Sequence, residues 1–489
     1  MKSSAELIAI LKSPTNEDKE LVSRAFEFGE SAHKDQTRLS GEPYFLHCIA
    51  TAETLAELGM DAKTIAAGLL HDTNEDGVVS LQEIEKRFGK EVAFLVDGVT
   101  KLGKYKYRGV VRHAESLRKL FLAVSRDMRV LVIRLADRLH NMKTLAHVAP
   151  EKQKRIALET LEIYAPIANR LGMGFIKGEL EDLAFPYVHP EEYKWVFALR
   201  KERSHNVTKR LLKVHRDLQK ALHTESVKVI GADYRVKHLY SLYRKLLRYD
   251  KDIEKIYDIA ALRVIVPSIS DCYRALGVAH GIWQPLDRIK DYIASPKPNG
   301  YQSLHTSVFT GDGGIVEIQI RTREMHEEAE YGIAAHLAYK ETATHPASAE
   351  GGSSPRGKGT FLGKKVRWIK ELVAWQKQVA GSNEFLANLH MDFFKDRVFV
   401  FTPKGDVIDL PEESSPVDFA FAVHSDIGIH MAGAKVNNKL ASLDTKLKNG
   451  DIVEIITKKS NSPSAKWIPF AKTAIAKKHI RAALSKKTS

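Results

Sequence analysis

The sequence predicts a multidomain chain: an all-helical N-terminal domain, a mixed α/β domain in the middle, and a small module of mixed β and α content near the C-terminus. Three observations predict it. Apolar residues recur at three- and four-residue spacing through the first 190 positions. The period then changes to short alternating strands and amphipathic helices over about 200–340. A stretch rich in Gly, Ser, Pro and Thr at 341–365 separates these from a final β-rich segment that begins at Asp396.

In the first segment, PYFLHCIATAETLAELGM, AKTIAAGLLHDTNED and AESLRKLFLAVSRDMRVLVIRLADRLHNM each carry a helical apolar stripe, and EKQKRIALETLEIYAPIANRLG extends the pattern. We place this domain at 1–190. A long charged helix, roughly Glu192 to His223, reads as a connector, and 191–340 is taken as the second domain with that connector included. There SVKVIGADYRVKHLYSLYRKLLR predicts a strand and an amphipathic helix, and ALRVIVPS a strand. YQSLHTSVFT and IVEIQIRT form a hairpin across Gly311-Asp312-Gly313-Gly314. Residues 341–395 are linker plus a short helix, VRWIKELVAWQKQV. The third module spans 396–458 and opens with a hairpin that turns at Pro403-Lys404-Gly405; the basic, partly helical residues 459–489 begin something left unfinished.

Composition limits the functional classes. At 489 residues, 44% hydrophobic and 28% charged, the chain can bury several cores. Its two cysteines, Cys48 and Cys272, form no paired motif, which excludes a disulfide scaffold and a cysteine zinc site and fits the cytoplasm. Neither a signal peptide nor a membrane span can be read at the N-terminus. The formal charge of +14 favours polyanionic partners: nucleic acid, ribosome or nucleotide phosphates.

The helical domain holds Tyr44-x-x-His47, His71-Asp72, Glu75-Asp76 and Asp137 in RLADRLHNM. His71 and Glu75 share a helix face, as do Asp72 and Asp76, because four residues make about one turn. A lone His47 reads more naturally as a core histidine. Polar ligands set in apolar runs such as IAAGLLHD and RVLVIRLAD, however, are costly to bury without a partner. Two imidazoles and two carboxylates suit a divalent ion of intermediate hardness: Mn²⁺, or Fe, Co or Zn. Glu75 and Asp76 are spaced to orient or deprotonate a water beside it.

This His…His-Asp…Asp order resembles the HD phosphohydrolase superfamily. Within it, AHKDQTRLSGEPYFLHCIATA, GLLHDTNED, VDGVTKL and RLADRLHNMKTL resemble the hydrolase domain of long RelA/SpoT homologues. The resemblance implies that His47, His71, Asp72 and Asp137 hold Mn²⁺ and that Glu75 and Asp76 activate water. It also implies that Arg38, Asn141 and Thr144 contact the guanine nucleotide, whose 3′-pyrophosphate is removed to leave GDP or GTP. One departure is Asn74-Glu75-Asp76-Gly77, where the family pattern has an apolar residue and Thr flanking the acidic pair; both acids stay in register.

In the second domain Arg235, Lys237, Ser241 and Arg244-Lys245 lie on a strand-to-helix connection, where basic side chains can converge on a polyphosphate. A solvated basic helix face is the plainer alternative. Asp258 precedes ALRVIV. In IVEIQIRT the residues Ile315, Glu317, Gln319 and Arg321 share one strand face, and Val316, Ile318 and Ile320 share the other. That pattern fits a sheet whose front face is a site, or a solvent-facing strand. Two carboxylates plus substrate phosphates make a usual Mg²⁺ shell. Gly352-x-x-x-x-Gly357-Lys358 approaches a phosphate-binding loop but lacks Ser or Thr after Lys and has no strand before it, so we reject it.

RIKDYIASPKPNGYQSLHT and VEIQIRTREMHEEAEYGIAAHLAYK resemble the nucleotidyltransferase-like synthetase domain of the same family. The resemblance implies that Tyr301 stacks on guanine of GDP or GTP and that Arg235 and Arg263 flank the adenine of ATP. Ser241 and Gln319 join the nucleotide contacts, Lys237, Lys245, Lys297 and His305 surround phosphates, and Asp258 and Glu317 take Mg²⁺. Glu317 has a second possible role in deprotonating the acceptor 3′-hydroxyl. Arg288-Ile289-Lys290-Asp291 matches the basic signature of members that carry both activities.

VFTPKGDVIDLPEESSPVDFAFAVHSDIGIHMAGAKVN resembles a TGS domain, a small β-grasp module. In long family members it meets the 3′ end of uncharged tRNA on the ribosome, with His424 in the matching stretch; packing within the module is the other reading of His424. Family members continue into helical, zinc-binding and ACT-type domains, so this sequence is either a truncated piece or a short natural form. The expectation is therefore synthesis and hydrolysis of (p)ppGpp in the stringent response. Its rivals are an enzyme in which only the hydrolase works and a tRNA/ribosome-binding sensor with weak catalysis.

Overall fold

A computed structural model describes residues 3–74, 79–100, 109–256, 258–286, 289–297, 299–311, 314–342, 397–448 and 450–488. Glu75, Asp76, Arg288, the stretch Gly352–Lys358, the linker from 343 onward and the helix expected at 366–379 lie outside them. Nearly all of residues 3–342 fall in one compact unit and residues 397–488 in another.

The first unit begins all-helical: α1 (Ser4–Ile10), α2 (Asn16–Ala32), α3 (Phe45–Glu57), α4 (Ala62–Leu70), α5 (Leu81–Val99), α6 (Gly109–Arg126), α7 (Arg129–Lys143), α8 (Pro150–Glu159), α9 (Ala165–Arg170) and α10 (Gly174–Val188). Starts are set by local chemistry. Thr15 and Asp18 close a reciprocal capping box on α2, and the Asp61 carboxylate accepts from the Thr64 amide at the head of α4. Eight of the nine residues of α4 are buried, and every residue of α7 from Val130 to Leu139 is buried. A helix covered on all sides is a core helix; α7 packs against α3, α5 and α10. At Gly68 a Cβ would lie 2.5 Å from Leu55 Cδ1, so any larger residue would force Leu55 to shift at the α3–α4 crossing.

The expected connector is one helix, α11 (Pro190–Thr224), but it is more than a connector. Leu211, Val214, Leu218 and Leu222, spaced by three and four, are buried in the core of the following sheet. That sheet holds β1 (Gly231–Val236), β2 (Ala260–Val266), β3 (Lys290–Asp291), β4 (Leu304–Phe309) and β5 (Ile315–Thr322) in the order β1-β2-β5-β4-β3. Only β2 and β5 run parallel. Helix α12 (Leu239–Arg248) follows β1, and α13 (Ile269–Ile282) follows β2. Val316, Ile318 and Ile320 join α11 and α13 in the apolar core. The other face carries Arg263 beside Gln319 and His305, and Ala261 beside Glu317 and Ser307. Two helices close the unit, α14 (Arg323–Tyr331) and α15 (Ile333–Thr342). Helix α10 contacts α7 on one side and α12 and α14 on the other, so the helical and sheet parts share a wall.

The second unit pairs β6 (Arg397–Phe401) with β7 (Val407–Pro411) around Gly405, whose φ of +87° the turn requires. Helices α16 (Pro416–Val423) and α17 (Ser425–Ile429) lead to β8 (Met431–Val436), β9 (Lys439–Ala441) and β10 (Val453–Thr457), ordered β10-β8-β9. The basic C-terminal helix α18 (Ala474–Thr488) does not stand apart. Its Ala476 and Ile480 share a core with Val417, Ala420 and Phe421. Buried Asp418 caps α16 and also accepts from the backbone amides of Lys472 and Thr473.

Candidate functional sites

Helices α3, α4 and α7 bring four polar side chains into one buried cluster. His47 comes from α3, His71 and Asp72 from the end of α4, and Asp137 from α7; exposure is 1%, 1%, 6% and 2% in that order. His47 Nε2 lies 3.4 Å from Asp72 Oδ2 and 3.3 Å from Asp137 Oδ1, and His71 Nε2 lies 3.3 and 3.8 Å from the same atoms. One ligand atom each from His47, His71 and Asp137 fall within 4.8 Å of one another.

The surroundings prepare these groups for a cation. His71 donates Nδ1–H to the Gly68 carbonyl at 2.7 Å, which turns Nε2 towards the carboxylates. Tyr44 donates its hydroxyl to Asp72 Oδ2 at 2.8 Å. Asp137 is held by Arg134 at 2.7 Å and by the Asn141 amide at 2.5 Å. Burial opposes charge on His71, yet Asp72 and Asp137 outweigh it and lift the imidazole to about 10. Burial likewise opposes ionisation of Asp72, but His71 and His47 hold its carboxyl well below the usual range. The donor set, two imidazole nitrogens and two carboxylates, fits a divalent metal ion. Beside it Arg38 donates to Asn141 Oδ1 at 2.7 Å and to Thr144 Oγ1 at 3.2 Å, so the three expected nucleotide contacts are mutual neighbours. Arg134 and His140 were not singled out from sequence. Their signal was position alone: they lie three residues either side of Asp137 on one helix.

A second site, a cavity of about 350 Å³, lies on the polar face of the sheet. Glu317, Gln319 and Arg321 line it at 7%, 5% and 0% exposure, which rules out a solvent-facing strand. Lys237 and Asp258 form an ion pair on its wall, and Lys245 reaches the other Asp258 oxygen at 2.7 Å from outside the lining. Burial opposes ionisation of Asp258, but the two lysines hold its carboxyl at about 2. Burial pushes the Lys237 ammonium down despite Asp258. His305 bridges two expected site residues: Nε2 lies 2.7 Å from the Tyr301 hydroxyl and Nδ1 3.0 Å from Glu317 Oε1. Gln319 donates to the same Glu317 oxygen at 2.7 Å. Lys297 sits between the rings of Tyr292 and Tyr301, at 4.4 and 4.9 Å from their centroids. Arg235 and Ser241 also line the cavity, and Ser241 donates to Glu181 at 3.2 Å.

Arg263 stands apart, committed to Asp233 and to Glu330 at 2.6–2.8 Å. Asp291, from the four-residue basic signature, accepts from the Ile293 and Ala294 amides and the Tyr273 hydroxyl, while Lys290 lines the cavity. Asp258 and Glu317 share the cavity wall, but no third His, Cys, Asp or Glu joins them in a ligand cluster among the described residues.

Two features were not read from sequence. The helical part supplies one wall of this cavity through Asn169, Gly174, Lys177 and Gly178. Arg321 is fully buried, with Nη2 on His326 and Glu330 but Nε and Nη1 without partners. In the second unit, exposed His424 caps α17, its Nδ1 accepting from the Asp426 amide at 3.2 Å. Among the described residues no helix is long and apolar enough to cross a membrane.

Comparison with known families matches residues 25–174 to the HD domain, 234–344 to the region found in RelA/SpoT proteins, and 398–457 to the TGS domain. Over 463 residues the chain is 48% identical to a probable guanosine-3′,5′-bis(diphosphate) 3′-pyrophosphohydrolase of Synechocystis sp., covering 94% of this chain and 60% of that one. It is 46% identical to a guanosine-3′,5′-bis(diphosphate) 3′-pyrophosphohydrolase of Aquifex aeolicus, covering 96% of this chain and 65% of that one. It is also 44% identical to a bifunctional (p)ppGpp synthase/hydrolase of Mycobacterium tuberculosis, covering 95% and 62%. The chain spans 55–65% of the length of the curated relatives it matches.

Proposed function

The chain belongs to the RelA/SpoT homologues, and on that premise we propose that it both makes and destroys (p)ppGpp. The observation that carries this reading is that two sets of polar side chains are gathered in one compact unit. One is the His47–His71–Asp72–Asp137 cluster, and the other is the Tyr301–His305–Glu317 relay beside Lys237 and Asp258.

In hydrolysis, Mn²⁺ held by the four-residue cluster would supply the Lewis acidity. Tyr44 keeps Asp72 in place, and Arg134 and Asn141 keep Asp137 in place. Arg38 and Thr144 bind the nucleotide, and Glu75 or Asp76 takes the proton of the attacking water. The water oxygen bonds to the phosphorus as the bond from the ribose 3′-oxygen breaks, that oxygen takes up a proton, and GDP or GTP leaves with pyrophosphate.

In synthesis, Tyr301 stacks on the guanine of GDP or GTP, and Lys237, Lys297 and His305 neutralise phosphates. Asp258 and Glu317 would hold Mg²⁺, which would supply charge neutralisation for the transferring phosphates. The 3′-hydroxyl attacks the β-phosphorus of ATP, its proton passes to Glu317, and AMP leaves. The TGS module, with His424, would meet uncharged tRNA on the ribosome, and two free buried cysteines fit a cytoplasmic protein. The test is incubation with ATP and GDP under Mg²⁺, then addition of Mn²⁺, with nucleotides followed by chromatography. Guanosine tetraphosphate should form and then disappear. If neither step occurs, the reading fails.

A further inference from the structure

His140 contacts a proposed metal ligand without being one itself. Its Nδ1 lies 2.8 Å from His47 Nδ1 and 3.0 Å from Arg38 Nη1. A guanidinium can only donate, so His140 Nδ1 must be the acceptor. An acceptor nitrogen cannot also donate to His47, so His47 must carry its proton on Nδ1. His47 Nε2, which faces Asp72 and Asp137, is then the ring nitrogen left for a cation. The hydrogen-bond order runs Arg38 to His140, and His47 to His140.

Arg38 reaches the other ligands as well. Its Nη2 donates to Asn141 Oδ1, and the Asn141 amide donates to Asp137. Its guanidinium lies 5.8 Å from the ring of Tyr44, whose hydroxyl donates to Asp72. Three of the four ligands are thus one side chain away from Arg38. That arginine sits in a tight loop, closed by a bond from its own amide to the Glu42 carbonyl at 2.9 Å and by Gly41 at φ +85°.

We propose that His140 is a positioning residue of the hydrolase: by accepting from both Arg38 and His47 it fixes the His47 tautomer that binds the cation, and it ties cation affinity to the residue that meets the nucleotide. The inference rests on the hydrolase reading above. It extends that reading to the way the site is tuned. A nucleotide phosphate that draws Arg38 away leaves Nδ1 of His140 to His47 alone, so nucleotide and cation each alter the affinity for the other.

The test uses Mn²⁺ alone as probe, titrated into the full chain and read by the electron-paramagnetic resonance of the free ion. His140→Ala removes the acceptor. His140→Asn keeps a carbonyl oxygen near the place of Nδ1. The Ala variant should bind Mn²⁺ about 10–100-fold more weakly, the range expected when the outer partner of a ligand is lost. The Asn variant should recover most of that affinity. Nitrogen-15 spectra of the metal-free protein should show the His47 proton on Nδ1 in the wild type. Wild-type affinity in the Ala variant, equal losses in both variants, or the His47 proton on Nε2 would each overturn the inference. Should the wild type itself fail to bind Mn²⁺, the hydrolase reading falls first. Synthesis of guanosine tetraphosphate by each variant checks that the unit remains folded.

Discussion

Gly178 lies against the ring of His238 so closely that a Cβ on it would fall 2.2 Å from Nε2. The ring cannot simply turn aside, because its Nδ1 is bonded to Asp182 at 3.0 Å. This is where the helical part meets the sheet part, on the wall of the cavity proposed for synthesis. Gly178→Ala should therefore lower synthesis by roughly tenfold, the cost of misplacing a positioned group. Hydrolysis, whose proposed ligands lie on or at the end of α3, α4 and α7, should change much less. Paired rate measurements on one preparation decide it, and an equal loss of both activities would point to general unfolding.

His71→Ala or Asp72→Ala should abolish hydrolysis of guanosine tetraphosphate and leave synthesis in place. Both residues belong to the buried cluster of the helical part. Metal analysis of the purified variants should find the ion lost; retention of full hydrolysis would mean that the ligand set is wrong.

Tyr301 offers two separable contributions, its ring and its hydroxyl bond to His305. Tyr301→Ala should weaken GDP binding by about 1–3 kcal/mol, the usual worth of stacking on a base. ATP binding should change little. Tyr301→Phe keeps the ring, so calorimetry should find GDP affinity near wild type while turnover falls through the loss of order at His305 and Glu317.

Arg321 makes a prediction of opposite signs. A buried donor without a partner costs about 1–3 kcal/mol, and a hydrogen bond to a charged group contributes about 1.5–3 kcal/mol when a ligand completes it. Arg321→Met should leave thermal stability of the ligand-free protein within a few degrees of wild type. Nucleotide affinity should fall by about tenfold or more. Thermal melts with and without GDP plus a non-hydrolysable ATP analogue separate the two effects.

The parts legible in the sequence were those whose signal is local. His71-Asp72 and Asp137 stood out because charged groups interrupt apolar helical runs, and burial without partners is costly. Alternation in IVEIQIRT set Glu317, Gln319 and Arg321 on one face before any partner strand was known. What stayed hidden depends on contacts distant in the chain. Nothing near Arg263 signals that Asp233 and Glu330 will claim it, and nothing near Gly178 or Lys177 signals a cavity formed with residues more than fifty positions away. The long helix misled for a related reason. Its many charges suggest a solvated connector, while three leucines and a valine on one stripe anchor it to the sheet.

Asp418 bears on where the third module ends as an independently folding piece. Its carboxylate takes three backbone amides, one from Ser415 and two from Lys472 and Thr473, the last two beyond the end of β10 at Thr457. A fragment cut at residue 458 would keep the charge buried and remove two of the groups that solvate it. It would also uncover Val417, Ala420 and Phe421, which Ala476 and Ile480 cover in the intact chain. A stable fragment of this module should therefore run past Ile480, even though the recognisable sequence pattern stops more than twenty residues earlier.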